Sequence, residues 1–197
     1  MDTFTPTAKT TLDTDALVSE AENDFRVHGS VYTDEQIFNA EMRDIFGKCW
    51  IFIGHESEVR NPGDFKTSFM GRRPVVMSRD DQGEIHVLLN RCRHRGSVVC
   101  REERGSVKRF QCQYHGWVYG LDGTLQGVAK HKGGYPDDLD KSRLGLMSVP
   151  RVEIYRGLVF ANMDADAITF LAYLGAAKTF LDIHLDRAPD GEVEVVQ

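Results

Sequence analysis

Two short stretches of the chain hold the residue types that bind metals. Residues 92–96 read Cys-Arg-His-Arg-Gly and residues 112–116 read Cys-Gln-Tyr-His-Gly. Each sets a thiol beside an imidazole, Cys92 with His94 and Cys112 with His115, and each closes on a glycine, Gly96 or Gly116. Glycine admits positive φ and close backbone approach, which a tight loop around a metal requires. Each stretch follows a run of strand-forming residues, "VLLN" before one and "VKRFQ" before the other, so both pairs fall in loops that leave strands. The other two cysteines, Cys49 and Cys100, have no histidine two or three residues on and read as small buried hydrophobes. His28, His55, His86, His131 and His184 stand singly and read as surface or locally bonded histidines.

The order of the ligands discriminates between metals. A Cys₂His₂ zinc site usually takes both cysteines from one element and both histidines from another. Here each loop carries one of each. A Rieske [2Fe-2S] centre asks for that mixture: two thiolates on one iron and two neutral imidazoles on the other. The neutral ligands raise the potential to about −150 to +300 mV, against about −400 mV for all-cysteine plant-type clusters. The spacing Cys-x-His, then Cys-x-x-His after residues 95–111, favours the iron–sulfur reading over zinc.

The elements around these loops read as mainly β. "RRPVVMSRDDQGEIHVLLN" is two strand-like runs about the turn Asp-Asp-Gln-Gly, "VKRFQCQYHGWVYGLDGTLQG" repeats the pattern about Leu-Asp-Gly-Thr, and "PRVEIYRGLVFANM" splits at Arg156-Gly157. Short strands with Gly/Asp turns argue an antiparallel sandwich or small barrel. Ahead of them "TDEQIFNAEMRDIF" predicts a helix capped by Thr33, with Gln36 completing a capping box and Ile37, Met42 and Phe46 as its apolar stripe. The first thirty residues read as a weakly structured arm. After Asp164, "ADAITFLAYLGAAKTFLDIHLD" predicts helix with a break at Gly175, and "GEVEVVQ" predicts a new strand.

Composition removes several function classes. The chain has 197 residues, 41% of them hydrophobic, with net charge −6 and pI about 5.6. An acidic chain without a dense Lys/Arg run is a poor binder of nucleic acid or anionic membranes. The polar N-terminus is no signal peptide, and no apolar run reaches the ~20 residues of a membrane span. A cytoplasmic location with reduced thiols is the expectation, and metal binding is preferred to disulfides for the cysteines.

With the motifs in hand, "CRHRG…CQYHGWVYGLDGTL" resembles the Rieske domain of aromatic-ring-hydroxylating oxygenase large (alpha) subunits, nearest the benzoate, anthranilate and salicylate type. "WIFIGHESEV", "GDFKTSFMGRRPVVMSRDDQGEIHVLLN", "YRGLVFANMD" and "FLDIHLDRAPDGEVEVV" are similar to flanking segments of that family, so the resemblance runs over residues 33–197. It implies a Rieske-type antiparallel β-sandwich with a helical N-terminal arm and a C-terminal helix leading into an α+β catalytic domain, present only in part. The implied divisions are 1–46 for the arm, 47–162 for the Rieske domain and 163–197 for the start of the catalytic domain.

The resemblance also implies roles. Cys92 and Cys112 would bind the inner iron, and His94 and His115 the outer one through Nδ1. Arg95, Gly96 and Gly116 would shape the loops, and Trp117 and Tyr119 would pack around the cluster. Respiratory-type Rieske proteins carry an extra cysteine in each loop; Ser97 and Tyr114 stand there instead, as in the oxygenase type. Family members receive electrons, ultimately from NADH, through a reductase or ferredoxin and pass them to a mononuclear Fe(II) that uses O₂ to hydroxylate an aromatic substrate. They assemble as homotrimers or as hetero-hexamers with a small beta subunit. The Asp/Glu-x₂-His-x₃₋₄-His motif of the mononuclear iron does not occur among these residues. The expectation is therefore an N-terminal electron-transfer portion, with no catalytic residue of its own. A stand-alone Rieske ferredoxin-like carrier and a zinc-stabilised module are the rivals.

Overall fold

The computed structural model describes residue 13 and residues 15–21, 23–187 and 193–196. They fall into two compact units, one ending at Ile45 and one beginning at Phe46.

The first unit contains a hairpin, β1 (Val18–Ala21) and β2 (Asp24–Val27), and one helix, α1 (Glu35–Asp44). The hairpin was not expected: both strands are exposed along their whole length, so no apolar alternation marks them. Its cap also differs from expectation. Asp34, not Thr33, is the N-cap, and its carboxylate accepts from the N–H groups of Gln36 and Ile37. A carboxylate at this position also meets the positive end of the helix dipole. Ile37 is the helix's buried residue, and Phe46 lies beyond its end.

The second unit is the expected antiparallel β structure. Its strands are β3 (Ile51–His55), β4 (Asp64–Met70), β5 (Arg73–Arg79), β6 (Ile85–Leu89), β7 (Arg104–Ser106), β8 (Phe110–Gln111), β9 (Val118–Tyr119), β10 (Leu125–Gly127), β11 (Arg151–Tyr155) and β12 (Leu158–Asn162). A distorted helical turn, α2 (His131–Gly134), and two short helices, α3 (Phe170–Leu174) and α4 (Ala177–Leu185), complete it. The strands form three sheets, ordered β6-β5-β4-β7, β11-β12-β3 and β10-β9-β8.

The four-stranded sheet is the middle of the unit because both its faces are buried. Phe65, Val76 and Leu88 point to one side, into a cluster with Cys92, Cys112, Trp117, Tyr119 and Leu125. Met70, Val75, Met77 and Val87 point to the other, against Ile53, Val59, Val159 and Ala161. This is why "PVVMS" in β5 reads as a continuous buried run rather than an alternating one. The Ser78 hydroxyl, inside this sheet, donates to the Leu121 carbonyl at 2.7 Å and ties it to the β9–β10 turn.

The helices after Asp164 are anchored by aromatic packing. Phe170 stacks on Phe160 of β12 (centroids 4.0 Å apart) and meets Trp50 edge-on at 5.6 Å, while the Trp50 indole donates to the Ile168 carbonyl. Gly175 ends α3 with φ +50, the break expected there. Asp182 of α4 bonds Tyr155 and Lys178 and lies 3.7 Å from Arg156, rather than pairing with the exposed His184. The strand expected at "GEVEVVQ" does not form over the described residues 193–196; the Val195 N–H goes to the Ser57 hydroxyl instead of a strand edge.

Gly157, Glu58 and Asp80 carry measurable consequences. In the β11–β12 turn Arg156 and Gly157 both have positive φ, and a Cβ on Gly157 would lie 2.1 Å from Nε2 of the buried His55. Gly157→Ala is expected to cost roughly 2–4 kcal/mol in denaturant unfolding; an unchanged midpoint would show that the turn absorbs the clash. Glu58 and Asp80 carry a second effect. Burial alone would raise both carboxyl pKa values, but Lys66 and the His55 N–H hold Glu58 below its ordinary range, and His86 with the N–H groups of Glu84 and Gln82 does the same for Asp80. A depressed folded-state pKa gives stability present above the ordinary carboxylate range and lost as pH falls through the folded value. Glu58→Gln is therefore expected to destabilise at neutral pH, with the gap to the parent chain closing below about pH 4. A gap that stays constant in unfolding curves at both pH values would refute the ionic origin.

Candidate metal centre

The two loops are built on one backbone frame. In the first, the Cys92 N–H donates to the Ser97 carbonyl (2.8 Å) and the Gly96 N–H donates to the Cys92 carbonyl (2.8 Å). In the second, the Cys112 N–H donates to the Trp117 carbonyl (2.8 Å) and the Gly116 N–H to the Cys112 carbonyl (2.9 Å). Both glycines have positive φ, +71 at Gly96 and +67 at Gly116. At Gly96 space is open and only the backbone conformation demands glycine; at Gly116 a Cβ would also press Ala129 at 3.3 Å.

The frame sends like to like. Both cysteines are buried in one core cluster, close enough that the Cys112 thiol acts on that of Cys92. Both imidazoles lie further out, with ring centroids 4.6 Å apart and planes at 72°. His94 Nδ1 is buried and makes no hydrogen bond within the protein, which suits an atom reserved for a metal. Among the described residues no three His, Cys, Asp or Glu side chains converge on one point; a binuclear cluster asks only two protein ligands of each iron. A buried pair of thiols, a neighbouring pair of imidazoles and an orphaned ring nitrogen thus fit the donor set of a Rieske [2Fe-2S] group.

Electrostatics around the sulfurs are balanced by specific donors. Burial pushes the Cys92 thiol up and the Cys112 thiol adds to this, while the Tyr119 hydroxyl and the His94 backbone N–H pull it down. Tyr119 is fully buried; its hydroxyl accepts from the Arg93 N–H (3.1 Å), leaving its own proton for Cys92 Sγ at 3.1 Å. Burial and the neighbouring Cys92 raise the Tyr119 pKa, so the phenol stays protonated. His94 is shifted down, first by burial and then by the positive fields of His115 and Arg95. A neutral imidazole is the form that ligates metal.

Aromatic rings wall the histidines. Trp117 lies parallel to His94 at 5.0 Å, and Tyr114 stacks on His115 at 3.8 Å. Arg95 is exposed at the rim. Two residues that the spacing of the motif did not single out complete the site. Asn90 is buried just before Cys92; its amide donates to the Cys100 carbonyl (2.7 Å) and accepts from the N–H groups of Val99 and Cys100 (3.1 and 2.8 Å), closing the base of the first loop. Tyr135 accepts from the Trp117 indole at 3.0 Å. Asn90 was open to detection as a polar residue ending an apolar strand, whereas nothing in the local pattern marks Tyr135. Cys100 is buried ten residues from Asn90 with its thiol near the Glu102 carbonyl, and the Cys49 thiol bonds Tyr173.

Comparison with known proteins agrees with this geometry. The family model described as "Rieske [2Fe-2S] domain" matches residues 49–149. The biphenyl 2,3-dioxygenase alpha subunit of Rhodococcus jostii (strain RHA1) is 45% identical over 166 residues, covering 84% of this chain and 36% of that protein. The anthranilate 1,2-dioxygenase large subunit of Acinetobacter baylyi is 43% identical over 174 residues, covering 88% and 36%. Among solved structures, naphthalene 1,2-dioxygenase from Rhodococcus sp. superposes with TM-score 0.79 at 40% identity over 83% of this chain and 37% of that one. A quaternary ammonium Rieske monooxygenase does so with TM-score 0.69 at 30% identity over 78% and 42%. The chain therefore spans about a third of the length of the curated relatives it matches, and over that span it belongs to the Rieske [2Fe-2S] domain family.

Proposed function

We propose that Cys92 and Cys112 bind one iron and His94 and His115 the other iron of a [2Fe-2S] cluster, and that the chain is the electron-transfer portion of an aromatic-ring-hydroxylating dioxygenase alpha subunit. The observation that carries this reading is the pair of identically bonded loops that place two cysteines in one core cluster and two imidazoles together outside it. When bound, the cluster takes up and passes on one electron at a time. The chain's own residues do the rest. Gly96 and Gly116 set the loop shape, and the Tyr119 hydroxyl and His94 N–H donate to Cys92. Trp117 and Tyr114 cover the imidazole faces.

The wider activity follows the relatives. Electrons from NADH, delivered by a reductase or ferredoxin, pass from this domain to a mononuclear Fe(II) that hydroxylates an aromatic substrate with O₂. The assembly is a homotrimer or a hetero-hexamer with a beta subunit, in the cytoplasm. No helix among the described residues is long and apolar enough to cross a membrane. An aromatic carboxylate remains the proposed substrate class; relatives named for anthranilate and for biphenyl are 43% and 45% identical, so this span does not separate the two. Residues 1–46, 47–162 and 163–197 are proposed as arm, Rieske domain and start of the catalytic part. The rival reading, a stand-alone ferredoxin-like carrier, leaves unexplained the helices that Phe170 anchors to the sheet.

The ligand set is tested by analysis of the purified chain. Equal iron and acid-labile sulfide, with an EPR signal on reduction, are expected; Cys92→Ser or Cys112→Ser should abolish them, and Cys49→Ser and Cys100→Ser should not. One zinc per chain without sulfide would overturn the assignment. The donor to Cys92 gives a second expectation. A hydrogen bond to a thiolate stabilises the more negative, reduced state, so Tyr119→Phe should lower the midpoint potential by on the order of 50 mV, about 1 kcal/mol for one electron. A potential equal to or above the parent value would show that Tyr119 does not donate to the sulfur.

A further inference from the structure

The two imidazoles are held in different ways. His94 has Trp117 parallel to its face, at 5.0 Å and 8°. Trp117 is 3% exposed, and its indole N–H donates to the Tyr135 hydroxyl at 3.0 Å. Tyr135 meets both rings in T-shaped pairs, at 6.5 Å to His94 and 6.0 Å to Trp117. His115 is faced by Tyr114, which is 61% exposed. One imidazole is thus backed by a buried, hydrogen-bonded indole and the other by a solvent-facing phenol.

The backing matters because the plane of an imidazole is not set by its own torsion. Rotation about the Cβ–ring bond is broad and nearly two-fold for histidine and tryptophan alike. A parallel neighbour restricts His94 only if that neighbour cannot turn, and a hydrogen bond at the far end of the indole prevents the turn. The phenol that makes this bond is itself held. Tyr135 packs on the same core as Trp117, as do Val128 and Leu144 on either side of it in the chain. Such outer partners orient metal ligands and tune the bound group.

We propose that Tyr135 is a positioning residue which, through Trp117, sets the plane of the His94 ring at the outer iron and thereby the magnetic and redox character of the centre. The proposal rests on the reading of His94 as a cluster ligand. Trp117 is the direct backing, and Tyr135 acts only through it, without touching the cluster.

The test is a two-residue cycle on the cluster-loaded chain: Tyr135→Phe, Trp117→Phe and the double variant, at one pH. Iron and sulfide content, the g-values of the reduced state, the nitrogen couplings of the two histidines by pulsed EPR, and the midpoint potential are measured. Tyr135→Phe is expected to keep a full complement of cluster while shifting the g-values, one of the two nitrogen couplings and the potential. Trp117→Phe should shift the same coupling, and adding Tyr135→Phe to it should change nothing further. Spectra and potential of Tyr135→Phe that superpose on the parent's, even with reduced thermal stability, would overturn the proposal and leave Tyr135 a structural residue. So would an undiminished effect of Tyr135→Phe in the Trp117→Phe background. Loss of the cluster in both single variants would overturn it as well, because a bond that only orients a ring is not needed for retention. The parent chain is read first: absence of a [2Fe-2S] signal there would fail the cluster assignment itself, whereas a normal parent signal with silent variants fails this proposal alone.

Discussion

The glycine N–H bonded back to the cysteine carbonyl four residues earlier, made once in each loop, is the contact on which the site depends. A buried cysteine brings a buried peptide N–H and C=O with it, and both need partners. A sheet would satisfy them but would also hold the chain straight. Here the loop satisfies them internally, and the chain reverses within six residues while its cysteine stays in the core. The frame requires positive φ at its closing position, so Gly96 and Gly116 recur at the same distance from Cys92 and Cys112. The histidine is free to vary on that frame. It projects from the second residue after cysteine in one loop and from the third in the other, and the rings still meet at 4.6 Å. The unequal spacings Cys-x-His and Cys-x-x-His are two settings of one frame.

Burying both sulfurs has an electrostatic consequence. In a hydrophobic cluster and beside the Cys112 thiol, the Cys92 thiol resists ionisation, and burial is the largest cause. The hydrogen bonds from Tyr119 and the His94 N–H offset only part of that. A thiol that holds its proton this way gives it up to a cation, because metal coordination deprotonates a thiol outright. His94 needs no such help, because burial and nearby positive charge already lower its pKa and favour the neutral ring. At Cys92 and at His94 the surroundings therefore oppose the charged form of the free side chain.

The parts of this arrangement that could be read from sequence are those with short-range patterns. The turns Asp-Asp-Gln-Gly and Arg156-Gly157, the helix break at Gly175 and the two Cys/His loops all appear where turn chemistry and spacing put them. The misses share a cause. Val18–Ala21 and Asp24–Val27 pair without burying a side chain, so hydrophobic periodicity is silent there. Thr33 and Asp34 are both good caps, and adjacency alone does not choose between them. The tail "GEVEVVQ" has strand composition, but the Val195 N–H meets a serine side chain over residues 193–196. Tyr135 comes to Trp117 from eighteen residues away, along a segment whose backbone leaves the helical region at Lys132 and Gly133. No local rule carries that kind of contact.

What the domain contributes to specificity follows from where its likeness extends. The same arrangement superposes on an enzyme named for naphthalene with TM-score 0.79 and on one named for quaternary ammonium compounds with TM-score 0.69. Substrates as different as a fused aromatic hydrocarbon and a charged ammonium compound share one redox module. The fold of this span is thus common to proteins named for very different compounds. Under the proposed ligand assignment, the donors around Cys92 and the backing of His94 would act on the potential, and Tyr114 gives the His115 side its exposed face. The backbone frame, the buried phenol and the aromatic walls are the features that the structure brings together around the two loops.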